Sequence, residues 1–282
     1  MTVLGTASID HKMREVGRPP AIHICDLDYK VGVRNGLGKP LQILEKINLE
    51  VAEGEFVALV GTSGCGKSTL LNLIAGLIQP TAGRISIFGE PVRGIPRHIG
   101  YMFQTDSLLP WRTVIRNVEV GLELSGVPAA ERRERALQQL AEIGLRGFEN
   151  HWPSELSGGM RQRVSLARTW LTDPDVLLMD EPFGALDSQT KLMIQESFLA
   201  VWEKRKQSVV LVTHDIDEAI AMADRVIVMS ARPGRIKTEY NIELERPRSL
   251  IALRSEPRFH SYWQQIWADL EEGATRTFFS EF

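Results

Sequence analysis

Cysteine is scarce in this chain: Cys25 and Cys65 are the only two among 282 residues. A disulfide framework is thereby excluded, and a reducing compartment fits. An excess of one charge sign is missing as well. Lysine and arginine number 33 against 36 aspartates and glutamates, a formal net charge of −3, too balanced for a protein that grips nucleic acid by bulk charge. Long hydrophobic runs are also absent. The best, Phe56-Val57-Ala58-Leu59-Val60 and Val209 to Val212, fall far short of the roughly 18–20 residues of a membrane span. Asp10, Glu15, Pro19 and Pro20 stand where a signal peptide would carry its apolar segment. The expectation is a soluble or peripheral chain that serves a membrane, if at all, through a partner. What is present is an average globular mix, 43% hydrophobic and 24% charged, which excludes wholesale disorder. The length suits one large α/β domain, alone or with a smaller appended subdomain.

Residues 1–20 are polar, lack periodicity and end in Pro19-Pro20, and they read as a loosely ordered lead-in. Strands are predicted at Ala21–Leu27, Ile43–Val51 and Phe56–Val60, with a loop from Gly32 to Pro40, where three glycines and a proline gather. Leu70, Leu71, Ile74 and Leu77 predict a helix over Lys67–Leu77. Arg84–Phe88 and His98–Phe103 read as further strands. Between Leu108 and Trp170 the pattern turns mostly helical, with one helix over Ala129–Ile143 stopped by Gly144. Strand and helix then alternate through Val176–Met179, Ser188–Arg205, Ser208–Val212, Ile216–Ala223 and Arg225–Met229. That alternation predicts a largely parallel sheet covered by helices, and the helical stretch a small second lobe. Phe259, Trp263, Ile266, Trp267 and Leu270 place an amphipathic helix in the tail, which either packs on its own domain or offers a face to a partner. The division expected is a lead-in over 1–20, a main domain over 21–245 with a helical subdomain at about 105–170, and a tail over 246–282.

Gly61-Thr62-Ser63-Gly64-Cys65-Gly66-Lys67-Ser68-Thr69 fits G-x-x-x-x-G-K-[ST] between a β-branched run and a helix, the context that the motif needs. Glycines let successive N–H groups curl around phosphate oxygens, and the helix N-terminus adds positive potential. Lys67 supplies a point charge between the β- and γ-phosphates, and the Ser68 hydroxyl can ligate Mg²⁺. Cys65 fills the tight loop or serves as a thiol of lowered pKa. The run Val176-Leu177-Leu178-Met179-Asp180-Glu181 is an apolar strand that ends in two acids. It delivers Asp180 to the carboxyl end of the sheet, where it would hold Mg²⁺ through a water, with Glu181 placed to orient or deprotonate an attacking water. Leu156-Ser157-Gly158-Gly159-Met160-Arg161-Gln162 opens a helix from Arg161 to Leu171 behind an N-cap at Ser157. Its glycine N–H groups form a second anion site, which one nucleotide does not need twice, so it reads as serving the nucleotide of a second subunit.

These motifs together resemble the ATP-binding subunit of an ABC transporter, over roughly Ile22 to Val228 and in that family's order; LSGGMRQR resembles its signature. The resemblance implies a P-loop NTPase core with a mainly parallel sheet, an antiparallel β subdomain and a small α-helical subdomain. It implies an ATPase that uses ATP with Mg²⁺. Two copies would close head-to-tail, with Ser157, Gly158 and Gly159 meeting the γ-phosphate held by the partner's phosphate loop. Gln104 resembles the glutamine that touches Mg²⁺ and the attacking water. His214 resembles the switch histidine on the γ-phosphate, and Ala185-Leu186-Asp187 the loop through which the subunits sense each other. The family places an aromatic ring near the chain start to stack on adenine. Val31 falls at that position with Tyr29 two residues early, so Tyr29 is either the stacking ring or a plain strand residue.

Leu108-Leu109-Pro110-Trp111 reads either as core of the helical lobe or as the rim of a groove for a short helix of a membrane subunit. With Thr213-His214-Asp215-Ile216-Asp217-Glu218-Ala219 and Pro257-Arg258-Phe259, it resembles the nitrate, sulfonate, taurine and bicarbonate importer group. That implies a separate ATPase polypeptide, peripheral at the cytoplasmic face of the inner membrane. Its partners would be an integral membrane permease and, indirectly, an extracytoplasmic solute-binding protein, with no nucleic acid. The competing class, a non-transport ABC ATPase acting on DNA or ribosomes, usually has tandem nucleotide domains or basic extensions, whereas this chain has one motif set and a slight acidity. A soluble P-loop kinase leaves the second glycine-rich turn unexplained.

Overall fold

The computed structural model describes residues 18–32, 40–184 and 186–280, with side chains through Glu271. Residues 1–17 of the expected lead-in, residues 33–39 of the expected loop, and Ala185 lie outside them. In chain order come β1 (Ile22–Val31), β2 (Leu41–Val51), β3 (Phe56–Gly61), α1 (Lys67–Ile74), β4 (Ala82–Ile87), β5 (Glu90–Pro91), β6 (Ile99–Met102), α2 (Val114–Leu124), α3 (Ala129–Glu142) and α4 (Gly158–Trp170). After these follow β7 (Val176–Asp180), α5 (Ser188–Arg205), β8 (Ser208–Val212), α6 (Ile216–Met222), β9 (Arg225–Met229), β10 (Ile236–Asn241), α7 (Leu250–Leu253) and α8 (Pro257–Ser280). Two sheets result. One has the order β2-β1-β4-β5 and is antiparallel; the other has the order β10-β9-β3-β8-β7-β6 and is parallel except for β10 on its edge. Among the described residues no helix is long and apolar enough to cross a membrane.

The large sheet is apolar on both faces because successive side chains of a strand point to opposite sides. Val57 and Leu59, Val176 and Leu178, and Val210 and Val212 join one core with α1 and the antiparallel sheet. Their neighbours Phe56, Ala58, Leu177, Met179, Val209 and Leu211 join the other with Trp170, Phe183, Phe198 and Trp202. A third, smaller core lies within the helical stretch, from Val114, Val118, Leu122, Leu140, Val164 and Leu171. Leu108 packs against that third core, whereas Trp111 is 70% exposed. The core reading of the Leu108–Trp111 run thus holds for Leu108, while Trp111 points away from that core.

Helix α1 stops three residues before the expected Leu77. Gly76 takes a left-handed φ of +69°, and a Cβ there would lie 1.9 Å from the Gly94 carbonyl oxygen. Leu77 N–H instead turns back to the Asn72 oxygen at 3.0 Å, a helix-closing bond. β10 escaped the sequence reading because it is a half-exposed edge strand of polar and apolar residues. The tail helix α8 buries Phe259 and Ile266 on the core and leaves Trp267 half-exposed, stacked on Trp263.

Between β10 and α8 lies Arg248, buried and, among the described residues, in no ion pair. It donates to five carbonyl oxygens, those of Ile220, Ala221 and Ala223 at the end of α6 and those of Ile242 and Leu244. Burial, with Arg246 nearby, pulls its pKa down to about 10. Arg246 covers the Trp202 ring at 4.4 Å and binds Asp224.

Phe198 is 1% exposed and meets Phe56, Trp170 and Phe183 ring to ring. Phe198→Ala leaves a cavity among rings that cannot close over it, and is expected to cost about 3–5 kcal/mol, read as a lower denaturant midpoint at unchanged slope.

Candidate active site

β3 ends at Gly61, and the chain turns before α1 opens at Lys67. Gly64 and Gly66 hold φ values of +77° and +105°, where only glycine sits without strain. A Cβ on Gly61 would lie 2.8 Å from Cys65 Sγ, and one on Gly66 2.6 Å from a Leu44 methyl, so contact as well as conformation closes the loop. Cys65 is buried in it, and burial pushes its thiol above the ordinary value, as a filler rather than a thiolate requires. Lys67 Nζ donates to the Gly61 and Thr62 oxygens at 2.7 and 3.2 Å. No side chain caps α1, which leaves its first N–H groups to an anion.

The acids arrive on the neighbouring strand ends. Ser68 Oγ donates to Asp180 Oδ1 at 3.0 Å. Burial pushes the Asp180 carboxyl above its ordinary 3.8, and the adjacent Glu181 charge adds to it, against opposing pulls from Ser68 and Lys67. Glu181 stands at φ +47°, a strained setting for a residue with a long side chain and one found at functional positions. Its Oε2 accepts from Gln104 Nε2 at 3.1 Å and lies 3.3 Å from His214 Nδ1. A cavity of about 490 Å³ unites Ser63, Gly64, Gly66, Lys67, Ser68 and Thr69 with Gln104, Glu181 and His214. The structure therefore gathers residues from four separate stretches of sequence into one concave, polar site.

The remaining candidates lie elsewhere. Ser157 caps α4, its Oγ accepting from Met160 N–H at 3.3 Å; Ser157 and Gly158 are exposed, and the turn Ser157-Gly158-Gly159 does not line the cavity. A Cβ on Gly159 would meet Leu186 at 3.1 Å. The turn thus abuts the loop before α5, where Asp187 caps the helix and accepts from Thr190 N–H at 3.0 Å. That bonding to Thr190 holds the Asp187 carboxyl below its usual range. Tyr29 is half-buried in β1 against the core beneath α1, and does not line the cavity.

Comparison with known proteins bears on this geometry directly. The family model described as ABC transporter matches residues 44–184. An uncharacterized ABC transporter ATP-binding protein of Methanocaldococcus jannaschii is 49% identical over 229 residues, 81% of this chain and 84% of that protein. The chain belongs to the ABC transporter family. It is an ATP-binding subunit, and an ATPase. A taurine import ATP-binding protein (TauB) of Rhizobium johnstonii is 44% identical over 83% of this chain and 90% of its own length. Among solved structures, an ATP-binding cassette dimer in a post-hydrolysis state with ADP and Pi aligns at a TM-score of 0.72 and 33% identity, covering 79% of this chain and all of that one.

Several residues of this ABC subunit's site escaped the sequence reading. Arg161 Nε binds Asp106 at 2.9 Å, and Arg168 donates to the Asp106 and Ser107 oxygens. Gln162 donates to the Pro182 oxygen at 2.8 Å. Helix α4 is thereby tied to the segments that follow both Gln104 and Glu181. Lys191 on α5 bridges Asp215 and Glu218, each at 2.7 Å, beside His214. Ile43 and Arg232 line the cavity too. All are contacts distant in sequence, and only the charged residue types of α4 hinted at them.

A carboxyl with a raised folded pKa favours folding below its unfolded value and loses that contribution as pH rises through the folded one. Asp180→Asn is therefore expected to gain thermal stability relative to the parent as pH rises from about 4 toward 7, measured without nucleotide or divalent cation. An unchanged difference in melting temperature across that range would contradict the assignment.

Proposed function

We propose that this ABC subunit hydrolyses ATP as one of a head-to-tail pair and thereby powers import of a small solute of the taurine, sulfonate, nitrate or bicarbonate class. The work would be done at the cytoplasmic face of the inner membrane, on a permease supplied by an extracytoplasmic binding protein. One observation carries the pairing: the Ser157 turn is exposed, glycine-rich and outside its own chain's nucleotide cavity. A helix N-terminus so placed has no anion to bind within its own chain. The dimeric neighbour and the taurine-import relatives support the reading, as does exposed Trp111 beside the helical lobe.

The donor set suits Mg²⁺. Ser68 Oγ and Asp180 Oδ1 are hard oxygens already 3.0 Å apart, and among the described residues no group of three or more His, Cys, Asp or Glu competes to enclose a metal. Such a site leaves the other positions to phosphate oxygens and water, as Mg²⁺ prefers. Ser68 and Gln104 would ligate it and Asp180 would hold it through water; bound there, it would neutralise charge on the β- and γ-phosphates. The chain's own residues do the rest. Lys67 leaves the loop carbonyls for the phosphates. Glu181, held from two sides by Gln104 and His214, accepts a hydrogen bond from water and aims its oxygen at the γ-phosphorus. The bond between the water oxygen and the γ-phosphorus forms as the bond to the bridging oxygen breaks, Glu181 takes the water's proton, and ADP departs as the leaving group beside inorganic phosphate. Ser157 and Gly159 of the second copy, with Asp187 at the shared boundary, close the site and exclude bulk water.

Glu181→Gln keeps the Gln104 contact geometry but removes the base. It is expected to bind ATP normally, accumulate as a dimer, and lose about 10²–10⁴-fold in hydrolysis rate; near-parental turnover would remove Glu181 from the role. Ser157→Arg is expected to abolish hydrolysis while the isolated monomer binds ATP as before. Loss of binding by that monomer would argue that the turn serves its own chain.

A further inference from the structure

The nucleotide cavity has two chemically different ends. Gln104, Glu181 and His214 mark the hydrolytic end, while Ile43 and Arg232 line the wall beside Ser63 and Gly64, and no Phe, Tyr or Trp is among the described residues lining it. Tyr29 is packed against the core instead. The segment 33–39, Val-Arg-Asn-Gly-Leu-Gly-Lys, carries no aromatic side chain. An adenine entering this site needs a flat partner from another source.

Arg232 is held where such a partner would be needed. It sits at the tip of the turn between β9 and β10, which Ser230 closes: Ser230 N–H donates to the Arg235 oxygen at 2.9 Å, and Arg235 N–H to Ser230 Oγ at 3.0 Å. The turn is stitched to β2, with Gly234 N–H on the Ile43 oxygen at 2.8 Å and Glu45 N–H on the Gly234 oxygen at 3.0 Å. Arg235 adds an ion pair to Glu45 at 2.7 Å. A Cβ at Gly234 would fall 2.0 Å from the Cys65 oxygen, so only glycine lets this turn rest on the phosphate loop. Arg232 Nη2 then reaches the Gly64 oxygen at 3.3 Å. Among the described residues it has no carboxylate partner, and its side chain is exposed.

We propose that Arg232 is the base-recognising residue of this site, its guanidinium lying flat on adenine beside Ile43 in place of an aromatic ring. The proposal rests on the ATP site described above. Guanidinium planes stack on π-faces and tolerate water at the edge, which an exposed residue needs. A contact of this kind affects nucleotide affinity, not the chemical step, and it discriminates a nucleotide from a bare polyphosphate.

Equilibrium binding of ATP and of inorganic tripolyphosphate to the full-length chain, in chelator and 0.15 M salt, separates the possibilities. Arg232→Ala is expected to raise the ATP Kd about tenfold and leave the tripolyphosphate Kd within about twofold. Arg232→Trp is expected to restore ATP binding, and Arg232→Lys to fail, since its ammonium has charge but no plane. Intact tripolyphosphate binding also certifies that the phosphate loop has folded. An unchanged ATP Kd in Arg232→Ala overturns the proposal, and so does equal weakening of both ligands, which would make Arg232 a phosphate contact. Failure of the hydrolytic reading looks different: a parental chain that binds ATP yet never cleaves it, at any protein concentration.

Discussion

Strand register in the large sheet decides where every polar group of the site stands. β3, β6, β7 and β8 run parallel, with Leu59 opposite Val212, Val212 opposite Asp180, and Met179 opposite Met102. Their carboxyl ends therefore finish together and release the phosphate loop, Gln104, Asp180 with Glu181, and His214 on one side. A slip of one residue in β7 would turn Leu177 and Met179 out of the core they share with Phe198 and exchange them with Val176 and Leu178. Two apolar cores, one on each face, thus pin a polar geometry that neither contains. β3 lies between β9 and β8, so the phosphate loop that follows it opens at the middle of the sheet's carboxyl edge, where open parallel sheets receive their ligands.

The second constraint ties the exposed glycine turn to the hydrolytic end. Helix α4 begins at that turn, and its Arg161, Gln162 and Arg168 grasp the backbone or side chains of Asp106, Ser107 and Pro182. Asp106 and Pro182 lie two residues beyond Gln104 and one beyond Glu181, so a displacement of α4 is felt at both. Lys191 does the same for α5, whose start abuts the turn through Leu186 and whose lysine holds Asp215 next to His214. On the proposed pairing, contact made by one copy at Ser157 has short, hydrogen-bonded routes to three of the groups that surround the water in the other site.

Much of this was legible in the sequence because the central strands are buried on both faces. Runs such as Ser208–Val212 and Arg225–Met229 coincide with β8 and β9, since a continuous apolar run of that length leaves little freedom of placement. The phosphate loop was legible because its glycines are demanded by backbone geometry. What could not be read was set by side-chain direction and by encounters between distant segments. Tyr29 stands in β1 as one of two readings allowed, yet only the register of β1 with β2 decides that its ring lies against the core. Arg232 and Gly64 are 168 residues apart, with nothing local in either stretch to announce the meeting. β10, half-exposed on an edge, has neither the alternation nor the apolar run that marks a strand.

Arg248 bears on how far the tail can be treated as an appendage. Its guanidinium donates to several carbonyls at the close of α6 and just beyond β10 and offsets their dipoles. A chain cut short before Arg246 would lose both the guanidinium that meets those oxygens and the one that lies over Trp202. The engine is therefore not finished when its motifs are. The last stretch closes it like a keystone, with Phe259 and Ile266 turned inward while Ile251 and Trp267 face outward.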